Sequence, residues 1–232
     1  MQLFCFTFAG GTAAFFNQLE DHCKGDIEFI KLEYSGHGDR MKEPLCHSFG
    51  EISEDLYKVI REKYKGGDYA LMGYSMGSFS VVDMYYYILQ KKEMELPKRL
   101  FVSAHAPKNR IDFLGLSKEE RDERAKLRTI EFGAVPERLI NNASFWRLYL
   151  PIYRTDYEII SDYRIDKWKE KISVPMTVFY SEEDTPLAEL KEWEKYISNG
   201  IEYIRYSGPH FFINEYAKDM MKVIEERLGT EN

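Results

Sequence analysis

The sequence predicts an α/β fold in which helices cover both faces of a mostly parallel sheet. Short apolar runs, rich in aromatic or branched residues, alternate with longer amphipathic stretches. Strands that are apolar throughout are typical of parallel sheets, because helices bury both of their faces. The runs are Leu3–Phe8, Phe29–Tyr34, Tyr69–Tyr74, Leu100–Ala104, Val174–Tyr180 and Ile201–Tyr206.

Apolar residues at helical spacing predict helices between and after these strands. Thr185 is expected to cap the helix before the last strand, with Pro186 in its first turn. Gly229 is expected to end the last helix. The three helix faces are Ile52, Leu56, Val59 and Ile60; Leu187, Leu190, Trp193 and Ile197; and Ile213, Tyr216, Met220, Val223 and Ile224.

The interval 109–171 breaks the alternation, because it contains no strand signal. It begins with the charged stretch Ser117–Arg128 and continues with aromatic and apolar residues. About sixty residues is too long for a simple loop. We therefore predict a single domain, 1–232, with a helical insertion at 109–171 that covers the site as a lid. The alternative is a pair of packing helices with no role over the site.

Composition excludes several classes of protein. The 232 residues include 32 Lys+Arg and 39 Asp+Glu, a net charge of −7 that argues against nonspecific nucleic-acid binding. Three cysteines without a C-x-x-C pair argue against a disulfide scaffold or a zinc site. The sequence has no apolar run of the roughly 18 residues that a membrane helix needs. We expect a cytoplasmic protein that binds no nucleic acid, membrane, metal or cofactor.

A serine nucleophile is predicted in Gly73-Tyr74-Ser75-Met76-Gly77, a G-x-S-x-G sequence. The motif follows a strand and precedes a run of helical spacing. Such a sharp turn crowds the backbone, and small residues two positions to each side of the serine relieve the crowding. The turn places Ser75 at the carboxyl end of the sheet, beside a helix N-terminus. A Gly/Ser-rich turn without chemistry is the alternative.

His210 is the predicted general base. A serine hydroxyl needs a base to become a nucleophile, and with this type of turn the acid and then the histidine follow the serine along the chain. His210 lies between the last strand and the last helix, where a base must sit. His105 also follows Ser75, but its neighbours indicate a turn. The remaining histidines, His22, His37 and His47, are expected at the surface or in supporting positions.

Asp184 is the predicted acid that orients the base. It competes with Glu182 and Glu183, which also follow the strand Val174–Tyr180. Asp184 stands immediately before the expected helix cap, so it is chosen. It could serve the helix N-terminus as well, since negative charge is favourable there.

Two backbone amides are predicted to form an oxyanion hole. One belongs to Met76, directly after the nucleophile. The other is placed near Ala9, in the turn Phe8-Ala9-Gly10-Gly11-Thr12, because paired glycines let the main chain approach a substrate closely. A tight turn that packs for its own sake is the alternative.

Five motifs in this order resemble the type II thioesterases of nonribosomal peptide and polyketide synthesis, which are surfactin-thioesterase-like α/β-hydrolases. The resemblance covers nearly the whole chain. The motifs are Phe8-Ala9-Gly10-Gly11; Gly36-His37-Gly38-Asp39-Arg40 with Glu43-Pro44; Gly73-Tyr74-Ser75-Met76-Gly77; Asp184; and Gly208-Pro209-His210-Phe211-Phe212. The family often has Pro-Gly-Arg-Gly where Ser35-Gly36-His37-Gly38 stands, and His where Tyr74 stands.

The resemblance implies an activity and a partner. Family members hydrolyse acyl or aminoacyl groups from the phosphopantetheine arm of a carrier domain, so the substrate carries the only prosthetic group. The resemblance also implies a monomer, and a lid over the acyl channel. Phe145, Trp146 and Tyr149 of the insertion are candidates for lining that channel. A small-ester or lipid esterase with the same triad, and a non-catalytic carrier-binding module, are the competing interpretations.

Overall fold

Six strands form one parallel sheet in the computed structural model, which describes residues 1–108 and 112–229. The order across the sheet is β2-β1-β3-β4-β5-β6. The strands are β1 (Gln2–Phe6), β2 (Glu28–Leu32), β3 (Tyr69–Tyr74), β4 (Leu100–Ser103), β5 (Met176–Ser181) and β6 (Ile201–Tyr206). The predicted α/β architecture is confirmed, and each strand lies within a few residues of its predicted position.

Seven α-helices accompany the sheet within the described residues. They are α1 (Asn17–Glu20), α2 (Phe49–Lys63), α3 (Met76–Lys91), α4 (Lys118–Glu131), α5 (Ala143–Asp162), α6 (Leu187–Leu190) and α7 (Ile213–Leu228). Short 3-10 turns occur at Ala13–Phe16, Gly38–Arg40, Glu137–Leu139, Ile165–Lys167 and Lys191–Lys195. Within this part of the chain, none of the helices is long and apolar enough to cross a membrane.

The sheet is buried on both faces, as its apolar strands predict. Leu71 of β3 faces a core shared with α2, α3 and α5, whereas Met72 beside it faces a second core shared with α1 and α7. Alternate side chains of a strand point to opposite faces, so both sets must be apolar. The two cores hold the central strands rigidly, which fixes the loops at their carboxyl ends.

The strand order reverses between β1 and β3. The chain leaves β1 for β2 on one side, and it leaves β3 for β4 on the other. In open parallel sheets, the crevice outside the carboxyl ends at such a reversal is where ligands bind. The turn that begins at Phe8 and the motif around Ser75 both lie there, because they follow β1 and β3 directly.

Two local predictions differ from the structure. The helix expected over Leu187–Ile197 is divided into α6 and a 3-10 turn at Lys191–Lys195. The hydroxyl of Thr185 donates to Asp184 Oδ2 over 3.1 Å and does not cap the helix, and Pro186 occupies the N-cap position. The helix begins one residue later than predicted, so Thr185 precedes the N-cap position.

The interval between β4 and β5 is helical, as predicted. It contains α4 and α5, and residues 109–111, at which the predicted insertion begins, lie outside the described residues. Helix α4 begins at a capping box in which Ser117 and Glu120 each bond the other's backbone amide. Gly229, at φ 67°, ends α7 as expected, because glycine adopts the left-handed conformation without strain.

Candidate active site

Ser75, His210 and Asp184 form one hydrogen-bonded series at the carboxyl end of the sheet. His210 Nε2 lies 3.0 Å from Ser75 Oγ, and His210 Nδ1 lies 2.8 Å from Asp184 Oδ1. The carboxylate accepts the Nδ1 proton, which leaves Nε2 as the acceptor for the serine hydroxyl. The arrangement can therefore move the serine proton onto the imidazole while the acid stabilises the resulting cation.

The backbone at Ser75 is strained, and the residues around it permit the strain. Ser75 has φ 55° and ψ −117°, outside the regions that residues with a Cβ normally occupy. A Cβ on Gly73 would lie 2.1 Å from the Gly77 carbonyl oxygen, and one on Gly77 would lie 2.0 Å from the Phe6 carbonyl oxygen. Both positions therefore require glycine, and the turn rests directly against the end of β1.

The structure distinguishes the three competing carboxylates. Only Asp184 among them reaches His210, whereas Glu183 Oε1 accepts the Gly208 amide over 2.8 Å. Glu182 Oε1 is 3.4 Å from the Leu187 amide. Ser181 adds a bond from its hydroxyl to the Gly208 carbonyl. These contacts tie the loop after β5 to the loop after β6, and they fix the distance between Asp184 and the imidazole.

Tyr74, directly before the nucleophile, supports the loop that carries the histidine. Its hydroxyl donates to the His210 carbonyl oxygen over 2.6 Å, and its ring is fully buried. Burial raises the pKa of Tyr74 well above its usual value, so the phenol keeps the proton that this bond requires. The sequence showed this position only as a departure from the family's usual histidine.

His105 lies in the same pocket as Ser75 but is oriented by its own loop. Its Nδ1 is 2.6 Å from the Ala106 carbonyl oxygen, and its ring packs on Phe79 at a centroid distance of 4.3 Å. The imidazole that reaches Ser75 Oγ is His210. The choice of His210 over His105 therefore agrees with the geometry.

The two amides predicted for the oxyanion hole lie on adjacent segments. Met76 is the first residue of α3, where helix amides lack intrahelical partners. Ala9 lies in a turn closed by a 2.9 Å bond from the Gly11 amide to the Phe8 carbonyl oxygen. Gly77 lies directly against the carbonyl groups of Phe6 and Thr7, so the start of α3 is next to this turn.

A small cavity adjoins Ser75 and His210. Its volume is about 40 Å³, room for only a few water molecules. Side chains from α4, its C-terminal end and α5 form one side of it: Arg128, Phe132, Tyr157 and Ile160. The Phe132 ring stacks on the His210 imidazole, at a centroid distance of 4.2 Å and an interplanar angle of 25°. No pattern in the sequence singled out these four residues.

The aromatic residues Phe145, Trp146 and Tyr149 are not among the described residues that line this small cavity, and their place along an acyl channel stays a prediction. Phe145 stacks on Tyr149 at 4.8 Å, and Trp146 is buried, with its Nε1 donating to the Ile140 carbonyl oxygen. Their spacing reflects packing of α5 on the core, the commoner reason for an apolar helical stripe.

His37 is buried, although its sequence context suggested a surface or supporting position. Its Nε2 lies 2.9 Å from Asp156 Oδ2, and both side chains are at most 4% exposed. Burial alone would lower the pKa of His37, but the charge and hydrogen bond of Asp156 outweigh it and raise the pKa above its usual 6.5. A lone histidine between two glycines carries no pattern that could reveal this partner 119 residues away.

Comparison with known proteins agrees with the site. The family model described as "Thioesterase domain" matches residues 1–228. The thioesterase PikA5 of Streptomyces venezuelae is 28% identical over 231 residues, which are 98% of this chain and 81% of that protein.

Two solved structures superpose on nearly the whole chain. ClbQ, from the colibactin NRPS/PKS pathway, is similar with a TM-score of 0.86 and 25% identity, covering 98% of this chain and 96% of that chain. BorB, a type II thioesterase from the borrelidin biosynthetic cluster, gives a TM-score of 0.80 and 25% identity, with 98% and 92% coverage.

Proposed function

Because the chain belongs to the thioesterase domain family, we propose that it is a type II thioesterase that releases acyl or aminoacyl groups from the phosphopantetheine arm of carrier domains. The family confirms the predicted class of enzyme, a thioester hydrolase, and the resemblance inferred from the five motifs. The observation that carries the proposal is the hydrogen-bonded series from Ser75 through His210 to Asp184.

The chemistry is acyl transfer in two halves. His210 Nε2 takes the proton of Ser75 as its oxygen attacks the thioester carbonyl, and Asp184 stabilises the imidazolium. The tetrahedral intermediate collapses with expulsion of the phosphopantetheine thiol, to which His210 returns the proton. Water, deprotonated by His210, then attacks the acyl-serine, and His210 returns the proton to the Ser75 oxygen as the acyl–oxygen bond breaks and the acid is released. The leaving group is the thiol in the first half and the Ser75 oxygen in the second, and the same residues serve both.

The amides of Met76 and Ala9 are assigned to the oxyanion. Met76 begins α3 directly after the nucleophile, and Ala9 lies in the turn after β1, and these positions support the assignment. Fixed donors at this position act mainly on the transition state, and losing one typically costs about 3 kcal/mol of barrier. The strained backbone of Ser75 keeps the nucleophile beside these donors.

Helices α4 and α5 are assigned the role of a lid. The cavity of about 40 Å³ is far smaller than an acyl group with its pantetheine arm, so substrate entry requires its roof to move. Phe132 is part of that roof, and its ring covers the imidazole. The carrier domain is the proposed partner, and its arm must enter where this roof opens.

Hydrolysis of a panel of acyl- and aminoacyl-carrier proteins tests the proposal. We expect turnover with wild-type protein, and a loss of about four to six powers of ten for Ser75→Ala. Asp184→Asn should lose about four powers of ten. The matched control Glu182→Gln replaces a carboxylate of the same loop that does not reach His210, and it should keep full activity.

The same assay separates the thioesterase from an esterase. A carrier-bound thioester should have a higher kcat/KM than a soluble oxoester of the same acyl group. The reverse preference would identify an esterase. Failure of a fluorophosphonate to label Ser75 would instead favour a non-catalytic carrier-binding module.

A further inference from the structure

A buried, hydrogen-bonded pair of His37 and Asp156 outside the triad connects three separate parts of the chain. His37 follows β2, and Asp156 lies on α5, yet their side chains meet over 2.9 Å. The two side chains are 4% and 2% exposed. Removing charges from water is costly unless hydrogen bonds compensate, so a pair at this depth needs further partners.

The third partner is the turn that carries Ala9. Asp156 Oδ2 accepts the backbone amide of Gly10 over 2.6 Å, in addition to its contact with His37. Tyr153, three residues earlier on α5, occupies the space beside Gly10: a Cβ there would lie 2.0 Å from its ring. Gly10 has φ 71°, a conformation that glycine adopts without strain. Helix α5 therefore holds the residue next to Ala9 by a charged hydrogen bond and by a packed ring.

The loop that contains Gly36-His37-Gly38-Asp39-Arg40 holds the histidine of the pair. His37 Nδ1 lies 3.1 Å from the Ser35 carbonyl oxygen, so both ring nitrogens are engaged. Arg40 is bonded to both Glu43 and Asp55, which anchors the segment to α2. These contacts hold the loop in place and fix the orientation of the buried His37 imidazole.

We propose that Asp156 and His37 are positioning residues, which hold the amide of Ala9 in the oxyanion hole through Gly10. This inference rests on the proposed function. Neither residue lines the cavity beside Ser75 in the described chain, so neither is expected to touch the acyl group.

The consequence is a specific kinetic signature. A misplaced oxyanion amide weakens binding of the transition state but not of the ground state. Replacing Asp156 should therefore lower kcat while KM changes little. It should also weaken binding of a trifluoromethyl ketone, which forms a tetrahedral oxyanion on the serine, by the same factor.

The test compares two substitutions of graded severity. Asp156→Asn keeps an oxygen that can accept the Gly10 amide but removes the charge, and we expect roughly a tenfold loss of kcat. Asp156→Ala removes the acceptor, and we expect roughly a hundredfold loss. In both, the inhibition constant of the trifluoromethyl ketone should rise in parallel and KM should stay within about twofold.

Asp162→Asn is the matched control, because Asp162 is an exposed aspartate at the end of the same helix. It should leave kcat and the inhibition constant unchanged. His37→Gln is the second variant, and it decides the matter if Asp156→Ala does not fold. It should show the same parallel loss with wild-type KM.

Wild-type kcat in folded Asp156→Asn and His37→Gln would overturn the inference. So would an equal loss of ground-state and ketone affinity, which indicates a merely structural role. If the proposed function itself is wrong, the experiments give different results. In that case Ser75→Ala would retain hydrolysis, or the wild-type protein would bind the ketone normally but release no acyl group from a carrier.

Discussion

At the scale of single residues, the backbone conformation of the nucleophile Ser75 depends on neighbouring glycines, which have no Cβ. Ser75 is held at φ 55° because the backbone on either side closes to distances that no Cβ tolerates. At Gly77 the obstructing atoms are the carbonyl oxygens of Phe6 and Thr7, which belong to the backbone at and just after the end of a buried central strand. The strain is therefore stabilised by the rest of the sheet.

Gly77→Ala should destabilise the protein by about 3 kcal/mol, because a methyl group cannot fit without moving β1. The free energy of unfolding in urea measures this. Gly50→Ala is the control, since the nearest atom to its Cβ position among the described residues, outside the backbone of its own helix, is Ser48 Oγ at 3.7 Å. That change should stay within about 0.5 kcal/mol. Equal stability of the two variants would contradict the close approach seen at Gly77.

The buried pair of His37 and Asp156 should make stability depend on pH. Asp156 and Glu33 are the charged groups that raise the pKa of His37, and the neighbouring Tyr34 ring stays neutral because burial raises its own pKa. A histidine whose pKa is higher in the folded than in the unfolded state adds stability below its unfolded value of about 6.5. That contribution disappears as the pH rises through the raised pKa of the folded state.

The difference in unfolding free energy between wild type and His37→Gln should therefore be largest below about pH 6.5, and it should narrow at higher pH. Denaturant unfolding at a series of pH values measures it. In an Asp156→Asn background, this difference in unfolding free energy should change much less with pH. That result would show that the pH dependence comes from the contact between His37 and Asp156. A difference that is constant or that widens with pH would be inconsistent with a raised pKa.

At the scale of elements, helix α4 of the insertion differs from the helices that flank the sheet. Helix α4 buries only Ala125 and Thr129, whereas α3 buries twelve of its sixteen residues. Helix α4 is joined to α5 by ion pairs such as Arg121 to Glu158 and Arg154 to Asp122. Partly exposed pairs of this kind contribute little stability. Helix α4 is therefore the part of the proposed lid that should open at least cost.

Backbone amide hydrogen exchange should reflect this difference. We expect the amides of α4 to exchange at least about a hundredfold faster than those of α3, because local opening exposes few apolar side chains. Exchange followed by peptide mass spectrometry resolves the two helices. Matching rates in α4 and α3 would show that the insertion is as firmly held as the sheet, and would contradict a movable roof.

At the scale of the whole molecule, the strands were predictable because burial on both faces leaves an apolar run in the sequence. The triad was predictable because the order of serine, acid and histidine fixes where each must lie relative to the strands. Asp184 could be chosen over Glu182 and Glu183 by its place before the helix. These inferences need only local patterns and the rule that parallel strands end at one edge of the sheet.

Contacts between distant segments were not predictable in the same way. Phe132, which covers the His210 imidazole, follows the charged helix α4, which has no apolar stripe. Phe145, Trp146 and Tyr149 do form an apolar stripe, and it packs on the core. The bond from Asp156 to Gly10 joins residues 146 apart in sequence. Such contacts depend on how α5 crosses the sheet, which no local pattern specifies.

The central claim is that every turnover passes through the hydroxyl of Ser75. The most direct measurement is the hydrolysis of an acyl-loaded carrier protein as a rising fraction of the enzyme is modified by a fluorophosphonate, with the modified residue located by peptide mass spectrometry. We predict that activity falls in direct proportion to modification of Ser75 and vanishes when modification is complete. Hydrolysis that persists in fully modified protein, or inactivation that follows modification of another residue, would contradict the account.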